Sequence, residues 1–271
     1  MELLGIHLTH PKKILFPKEG ITKLDVILYY HWISEKMLPY LKDRPLTLQR
    51  FPSGIDEDGF YQKNVSDYFP SFIKRVEVKT EEGTNIQCIC NNKKSLVYLV
   101  NQNTIGFHTW LSKKDRLDQP DRVIFDLDPL DHSFEEIKRA AFRLRDFLHQ
   151  KRKKPHLMTT GKNGLHVYYK IRRSRNFEEV KTEVKELAEA FAATYPESLT
   201  TNLRKGQREG KIFVDYLRNS YAQTAVCAYS IRPTETAGIA MPIQWELLEA
   251  IKSSDEFTFK NFFKFYTLPL K

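Results

Sequence analysis

The sequence predicts an α/β or α+β fold, with a mixed central sheet flanked by helices in a single compact unit. Three observations carry that expectation. Strand-like apolar runs interleave with capped, helix-periodic segments, the alternation that builds layered sheet-and-helix domains. Two of those runs, at residues 156–159 and 165–171, are joined by the short loop Gly161-Lys162-Asn163-Gly164, which implies a hairpin and rules out a wholly parallel sheet. The chain has 271 residues, 41% hydrophobic and 28% charged, enough to bury a sizeable core, and no internal repeat or low-complexity linker divides it.

Along the chain, Thr22-Lys23-Leu24-Asp25 has the form of a helix cap. Val26, Ile27, Tyr30, Ile33 and Met37 then recur at helical spacing, predicting a helix over about 23–38 that ends at Pro39. Leu46 to Phe51 reads as a strand closed by Pro52-Ser53-Gly54, and residues 55–95, polar and irregular, yield no clear element. Strand-like runs follow at Leu96–Val100, Ile105–Trp110 and Arg122–Leu127. Ser133-Phe134-Glu135-Glu136 forms a capping box, and Phe134, Ile137, Ala141, Leu144 and Leu148 share one face of the helix it opens. That helix has a basic outer face, and the run Lys151-Arg152-Lys153-Lys154 reads as its solvated end. After the hairpin strands, Asn176-Phe177-Glu178-Glu179 opens a further helix with Val180, Val184, Leu187 and Phe191 inward. A strand over Ile212–Leu217 follows a loop rich in Gly and Arg.

Composition narrows the class of partner. A formal net charge of +9 favours a polyanion, with nucleic acid first, because cationic surface gains free energy by displacing counterions from phosphates. No apolar run reaches the roughly 18 residues that span a bilayer, and the N-terminal stretch lacks the layout of a signal peptide, so a cytoplasmic protein without a membrane partner is expected. Cys88, Cys90 and Cys227 are too few and too badly spaced for a disulfide framework or a zinc site, which leaves them as small buried apolar residues.

The chemistry concentrates in Asp126-Leu127-Asp128-Pro129, at the end of the apolar run Val123-Ile124-Phe125. Side chains alternate along a strand, so Asp126 and Asp128 share a side while Leu127 points to the core, and Pro129 ends the strand. Such a pair is either a seat for a divalent cation or an ordinary strand end with two solvated acids. Asp215 stands alone in the apolar strand Ile212–Leu217, where a charge is costly unless paired or metal-bound. If its strand neighbours 122–127, Asp126, Asp128 and Asp215 form a three-carboxylate cluster able to hold two divalent cations for nucleotidyl transfer. All-oxygen ligands suit Mg²⁺ or Mn²⁺. Otherwise Asp215 is salt-bridged to Arg218 or Lys211 at a sheet edge. His108, in Gly106-Phe107-His108-Thr109-Trp110, is read with its ring opposed to both aromatics, as a core histidine or as a donor to phosphate. Thr160, Lys162 and His166, around the two glycines of the hairpin loop, form either a phosphate cradle or a plain turn. Arg218 and Arg232 suit a triphosphate or are surface charge.

Taken together, these residues resemble the polymerase domain of the bacterial end-joining ligase D, a branch of the archaeo-eukaryotic primase superfamily. The likeness rests on an ordered series: Lys12-Lys13-Ile14-Leu15-Phe16-Pro17, Thr22-Lys23-Leu24-Asp25, Arg50-Phe51-Pro52, Phe60-Tyr61-Gln62-Lys63, Phe107-His108-Thr109-Trp110, Asp126-Leu127-Asp128-Pro129, Thr160-Gly161 with Gly164-Leu165-His166, Val214-Asp215-Tyr216-Leu217-Arg218-Asn219, Tyr229-Ser230-Ile231-Arg232-Pro233, and Pro242 with Trp245. The order is far more specific than any one member.

The resemblance implies a primase-like fold and makes Asp126, Asp128 and Asp215 the ligands of two Mn or Mg ions. It places His108, Thr160, Lys162, His166, Arg218 and Arg232 around an incoming NTP or dNTP, with Phe60 and Tyr61 stacking near its base or the template. Lys13 and Lys23 would receive the 5′-phosphate of a broken or gapped strand, and Arg50 and Lys63 the template. Two departures stand out: Lys162-Asn163 replaces the family's common Ser-Lys, and Gln49 replaces a lysine before Arg50. The implied activity is template-directed nucleotidyl transfer at DNA ends, gaps or primer-templates in end joining, with a preference for ribonucleotides. Without a recognisable ligase or nuclease segment, the chain is expected to depend on separate Ku-like and DNA ligase partners. De novo primer synthesis, a non-catalytic module that binds DNA ends, and a phosphodiesterase using the same acids are the alternatives.

Overall fold

The computed structural model describes residues 1–80, 83–128, 133–262 and 264. Although the sequence shows no linker, packing divides the chain into two compact units, residues 1–117 with 224–239 and residues 118–223 with those from Ala240 on.

In the first unit, the hairpins β1 (Glu2–Leu3) with β2 (Ile6–His7) and β3 (Ile14–Phe16) with β4 (Ile21–Thr22) precede α1 (Lys23–Leu41). The predicted cap is present: Thr22 Oγ1 accepts from the Asp25 N–H at 3.2 Å, and Asp25 Oδ2 accepts from the Thr22 N–H at 2.8 Å. Such a reciprocal cap contributes about 1 kcal/mol. The helix runs past Pro39 to Leu41, since a proline this close to the end removes only one late hydrogen bond. The sheet is built from β5 (Pro45–Arg50), β6 (Phe60–Gln62), β7 (Lys74–Thr80), β8 (Gly83–Ile89), β9 (Thr104–Trp110) and β17 (Thr224–Val226), in the order β17-β9-β5-β8-β7 with β6 on β5. The small hairpin β10 (Ser112–Lys113) with β11 (Arg116–Pro120) carries the chain out of this unit.

One predicted element is wrong here. Leu96–Val100 is not a strand but part of α2 (Lys93–Asn101), whose cap is Asn92, with Oδ1 accepting from the Ser95 N–H at 2.8 Å. Leu96, Val97, Leu99 and Val100 are all buried, so a short run apolar on all sides fits either period, and the polar cap decides. The cysteines are as expected. All three are free and buried, and burial pushes the Cys88 thiol up to about 12.

In the second unit, β12 (Arg122–Asp128), α3 (Phe134–Gln150), β13 (His156–Thr159), β14 (Leu165–Lys170), α4 (Phe177–Thr194), β15 (Leu199–Thr200), β16 (Ile212–Asp215), β18 (Pro242–Ile243) and α5 (Trp245–Ala250) form a second sheet with its helices. The strand order is β15-β16-β12-β14-β13-β18, parallel only between β15 and β16, so the sheet is mixed as expected. Odd-numbered residues Val123, Phe125, Leu157, Val167 and Tyr169 are buried on the face that α3 and α4 cover, where Lys153 lies over the Tyr169 ring and bridges to Glu183 of α4 at 2.9 Å. Strand alternation therefore turns the even-numbered residues, Asp126 and Asp128 among them, to the other face. β16 stops at Asp215 rather than Leu217, because Asp215 Oδ1 accepts the Leu217 N–H at 2.7 Å and starts a 3-10 turn over Leu217–Asn219. Pro129, expected to end β12, lies outside the described residues.

Candidate active site

β12 lies between β14 and β16, with Asp126 directly opposite Asp215 on one side and His166 on the other. Opposed residues in an antiparallel ladder have Cα atoms about 5 Å apart and side chains on the same face, so His166, Asp126 and Asp215 form one row. Asp128, two residues on, extends it. Asp126 is buried, with one carboxylate oxygen 3.5 Å from His166 Nε2 and the other 3.7 Å from Arg218 Nε. Arg218 makes its ion pair with Asp126, and Lys211 pairs with Glu209 at 3.4 Å, so the charge of Arg218 reaches Asp215 only at longer range and neither residue forms the expected salt bridge with it.

The row is electrostatically loaded. Burial, then the carboxylates of Asp126 and Asp215, push the Asp128 carboxyl up to about 6. Asp215 is also raised, chiefly by burial with Asp126 adding to it, while the Leu217 N–H, Arg218 and Arg208 pull it down. A row in which burial and the Asp126 charge raise the proton affinity of both Asp128 and Asp215 favours a counter-cation, and the all-oxygen donor set fits Mg²⁺ or Mn²⁺. Among the described residues no three such groups converge at ligand distance on one point, so the row is gathered by the backbone but not closed around a centre.

The loop beside the acids closes on itself. The Thr160 hydroxyl donates to the Gly164 carbonyl at 3.0 Å and accepts the Gly164 N–H at 3.1 Å, and the Ser254 hydroxyl donates to the same carbonyl at 2.6 Å. Thr160 is thereby a brace for the turn, and Lys162 at its tip is exposed. Gly164 has no room for a side chain, since a Cβ there would sit 2.7 Å from the Leu127 carbonyl oxygen and 3.2 Å from Asp128 Oδ1. Gly164→Ala is expected to cost about 1–3 kcal/mol by displacing β12. Thermal melts should show that loss, and activity should fall further than the melt explains, because the displaced strand carries the acids.

Arg208 is a site residue that the sequence reading missed. Its guanidinium lies 3.7 Å from the Phe213 ring centroid and donates to the carbonyls of Asn202 and Leu203 at 2.9 and 3.2 Å, which fixes a cation near Asp215. It sits in a loop with Arg204, Lys205 and Lys211, where sequence alone gives no reason to prefer one of the four.

The first unit gathers the other candidates. Lys13 and Lys23 are tied by the Lys23 N–H to the Lys13 carbonyl at 2.7 Å. Lys23 is 1% exposed with Nζ donating to Thr9 Oγ1 at 2.9 Å, and Lys13 Nζ donates to the Pro52 carbonyl. Burial first, then Lys13 and Arg50, depress Lys23 to about 8. Arg50 is held by the Gln102 carbonyl at 2.8 Å and Gln62 at 2.7 Å, and stands 5.4 Å from the Phe60 ring, its partner in the β5–β6 register. Phe60 and Tyr61 are 47% and 56% exposed, and Tyr61 meets the His108 ring edge-on at 5.5 Å. Alternation puts His108 opposite Phe107 but on the side of Trp110, so the expectation that it opposes both aromatics holds only for Phe107. Arg232 is half-buried, its N–H donating to the Gly238 carbonyl at 2.7 Å, and Lys63 is exposed just beyond β6.

Residues 22–267 match the sequence profile of the LigD primase-polymerase domain. The chain belongs to that family. Among the LigD relatives, the multifunctional non-homologous end joining protein of Mycolicibacterium smegmatis is 28% identical over 89% of this chain and 32% of its own length. The bifunctional LigD of Bacillus subtilis is 29% identical over 96% of this chain and 45% of its own. The chain thus spans less than half the length of these relatives. In three dimensions it resembles the polymerase domain of Mycobacterium tuberculosis ligase D in complex with DNA, with a TM-score of 0.89 at 25% identity over 97% of this chain and 95% of that one. Among the described residues of this LigD-type domain, no helix is long and apolar enough to cross a membrane.

Proposed function

We propose that this LigD-type domain is a metal-dependent, template-directed nucleotidyltransferase that fills gaps and extends DNA ends during end joining, favours ribonucleotides, and reads the 5′-phosphate of the downstream strand. The observation that carries the reading is the register pairing Asp126 with Asp215, which gathers the carboxylates from separate strands into one row. Asp126, Asp128 and Asp215 would hold two divalent cations, whose chemistry is to sharpen a primer 3′-hydroxyl and neutralise the triphosphate. The remaining work belongs to side chains. The Leu217 N–H fixes one oxygen of Asp215 and so aims the other, and His166 steadies Asp126 from the far side. Arg218, 42% exposed beside Asp126, offers the guanidinium that suits a triphosphate oxygen. The exposed faces of Phe60 and Tyr61 suit bases of any sequence, as template-directed chemistry requires. Ku-like and ligase functions would come from separate partners or segments.

The test uses Mn²⁺, a labelled gapped duplex with a 5′-phosphate, and ribo- or deoxynucleotides. Strand lengthening is expected, faster with ribonucleotides and only with a template. Shortening would assign the acids to phosphodiester hydrolysis, and binding without lengthening would reduce the domain to an end-binding module.

A further inference from the structure

The sheet face that carries the acids continues beyond them. From Asp126 back along β12 the same side bears Ile124 and Arg122, and the antiparallel register sets Tyr168 opposite Ile124 and Lys170 opposite Arg122. On the next strand His156 lies opposite Tyr168, the two rings stacked at 5.4 Å and 28°. His156 and Lys170 are exposed and Tyr168 half-exposed, so this end of the face is open to solvent. Lys170 has no carboxylate within ion-pair distance among the described residues, whereas Arg122 keeps Asp121 at 3.3 Å. Partial burial, then the charge of Lys170, lowers the affinity of His156 for a proton, so its ring is a neutral stacking surface at physiological pH.

An aromatic ledge edged by unanswered positive charge is the chemistry that holds a nucleic-acid strand without reading its sequence. Its position decides which strand. Four residues of β12 separate Asp126 from Arg122, about 13 Å at roughly 3.3 Å per residue, a span of about four nucleotides at 3.4 Å each. A strand that brings its 3′-hydroxyl to the acid row and passes the buried Ile124 along this face would reach the ledge within that span. We propose that His156, Tyr168 and Lys170 form a platform for the primer strand, stacking bases two to four nucleotides behind its 3′ end and holding their phosphates. The platform rests on the polymerase reading of the acid row and adds a binding site to it.

Replacing both His156 and Lys170 with alanine tests it, since both side chains are exposed and the fold should not depend on them. A fluorescent primer-template of fixed length is given abasic or methylphosphonate units at the second to fourth primer positions, or opposite them in the template. For the natural protein the primer changes should weaken binding by about fivefold or more in anisotropy titrations, and in the double variant they should cost nothing further. Equal sensitivity of the two proteins, or a loss that follows the template changes, overturns the platform. Extension on the unmodified primer-template separates the two readings. No extension with an intact position-specific binding loss fails the polymerase and keeps the platform, and extension with equal sensitivity does the reverse.

Discussion

Replacing Asp126 or Asp215 with alanine is expected to reduce nucleotide addition by about a thousandfold or more, since losing a ligand of a catalytic cation removes several kcal/mol of transition-state stabilisation at about 1.4 kcal/mol per tenfold. DNA affinity should survive, because the basic residues and exposed aromatics lie elsewhere in the chain. Asp215→Asn is the sharper variant. An asparagine oxygen still accepts the Leu217 N–H that now meets Asp215 Oδ1 at 2.7 Å, so the strand end and the turn keep their geometry while one charge is lost. Without divalent cations this variant should melt at or above the temperature of the natural protein, because it removes a carboxylate that burial and then Asp126 disfavour and that itself adds to the raising of Asp128. Millimolar Mn²⁺ should raise the melting temperature of the natural protein and leave that of the variant nearly unmoved. Full extension by either variant would remove the carboxylate row from the chemistry.

The capped helices were the most legible part of this chain, since the boxes at Ser133 and Asn176 satisfy helix N–H groups locally and need nothing from the rest of the fold. Asp126 and Asp128 were equally visible, because alternation is a property of one strand. Their meeting with Asp215 was not, for Asp128 and Asp215 are 87 positions apart and only the β12–β16 register decides the pairing. The β7–β8 hairpin escaped because its strands carry mostly polar side chains, and Val78 is the one residue of β7 that is buried. The phosphate-cradle reading of Thr160–His166 had no way to weigh Ser254, 90 positions from Gly164, whose hydroxyl helps close the turn. Local chemistry was readable where the partner is near in sequence, and not where the partner arrives from another segment.

Lys23 supplies the second large effect. Burial and the charges of Lys13 and Arg50 hold its ammonium at about 8, well below the 10.5 of an ordinary lysine. Between those values the unfolded chain binds more protons than the folded one, so this residue makes stability rise with pH across that window, and below about 8 its cost is fully present. Lys23→Met, which removes the buried charge and keeps the stem, is therefore expected to stabilise the fold by about 1–3 kcal/mol at neutral pH. A 5′-phosphate beside Lys13 and Lys23 would favour the protonated amine, so preference for phosphorylated over hydroxyl ends should be about tenfold or more at pH 7 and fall several-fold by pH 9. Lys23→Arg should flatten that profile, since a guanidinium stays charged throughout. Lys13→Ala should lower affinity for phosphorylated ends more than for hydroxyl ends. Titrations of the two duplexes at both pH values decide it: equal losses for both kinds of end, or a preference that does not change with pH in the natural protein, would take the 5′-phosphate away from this pair of lysines.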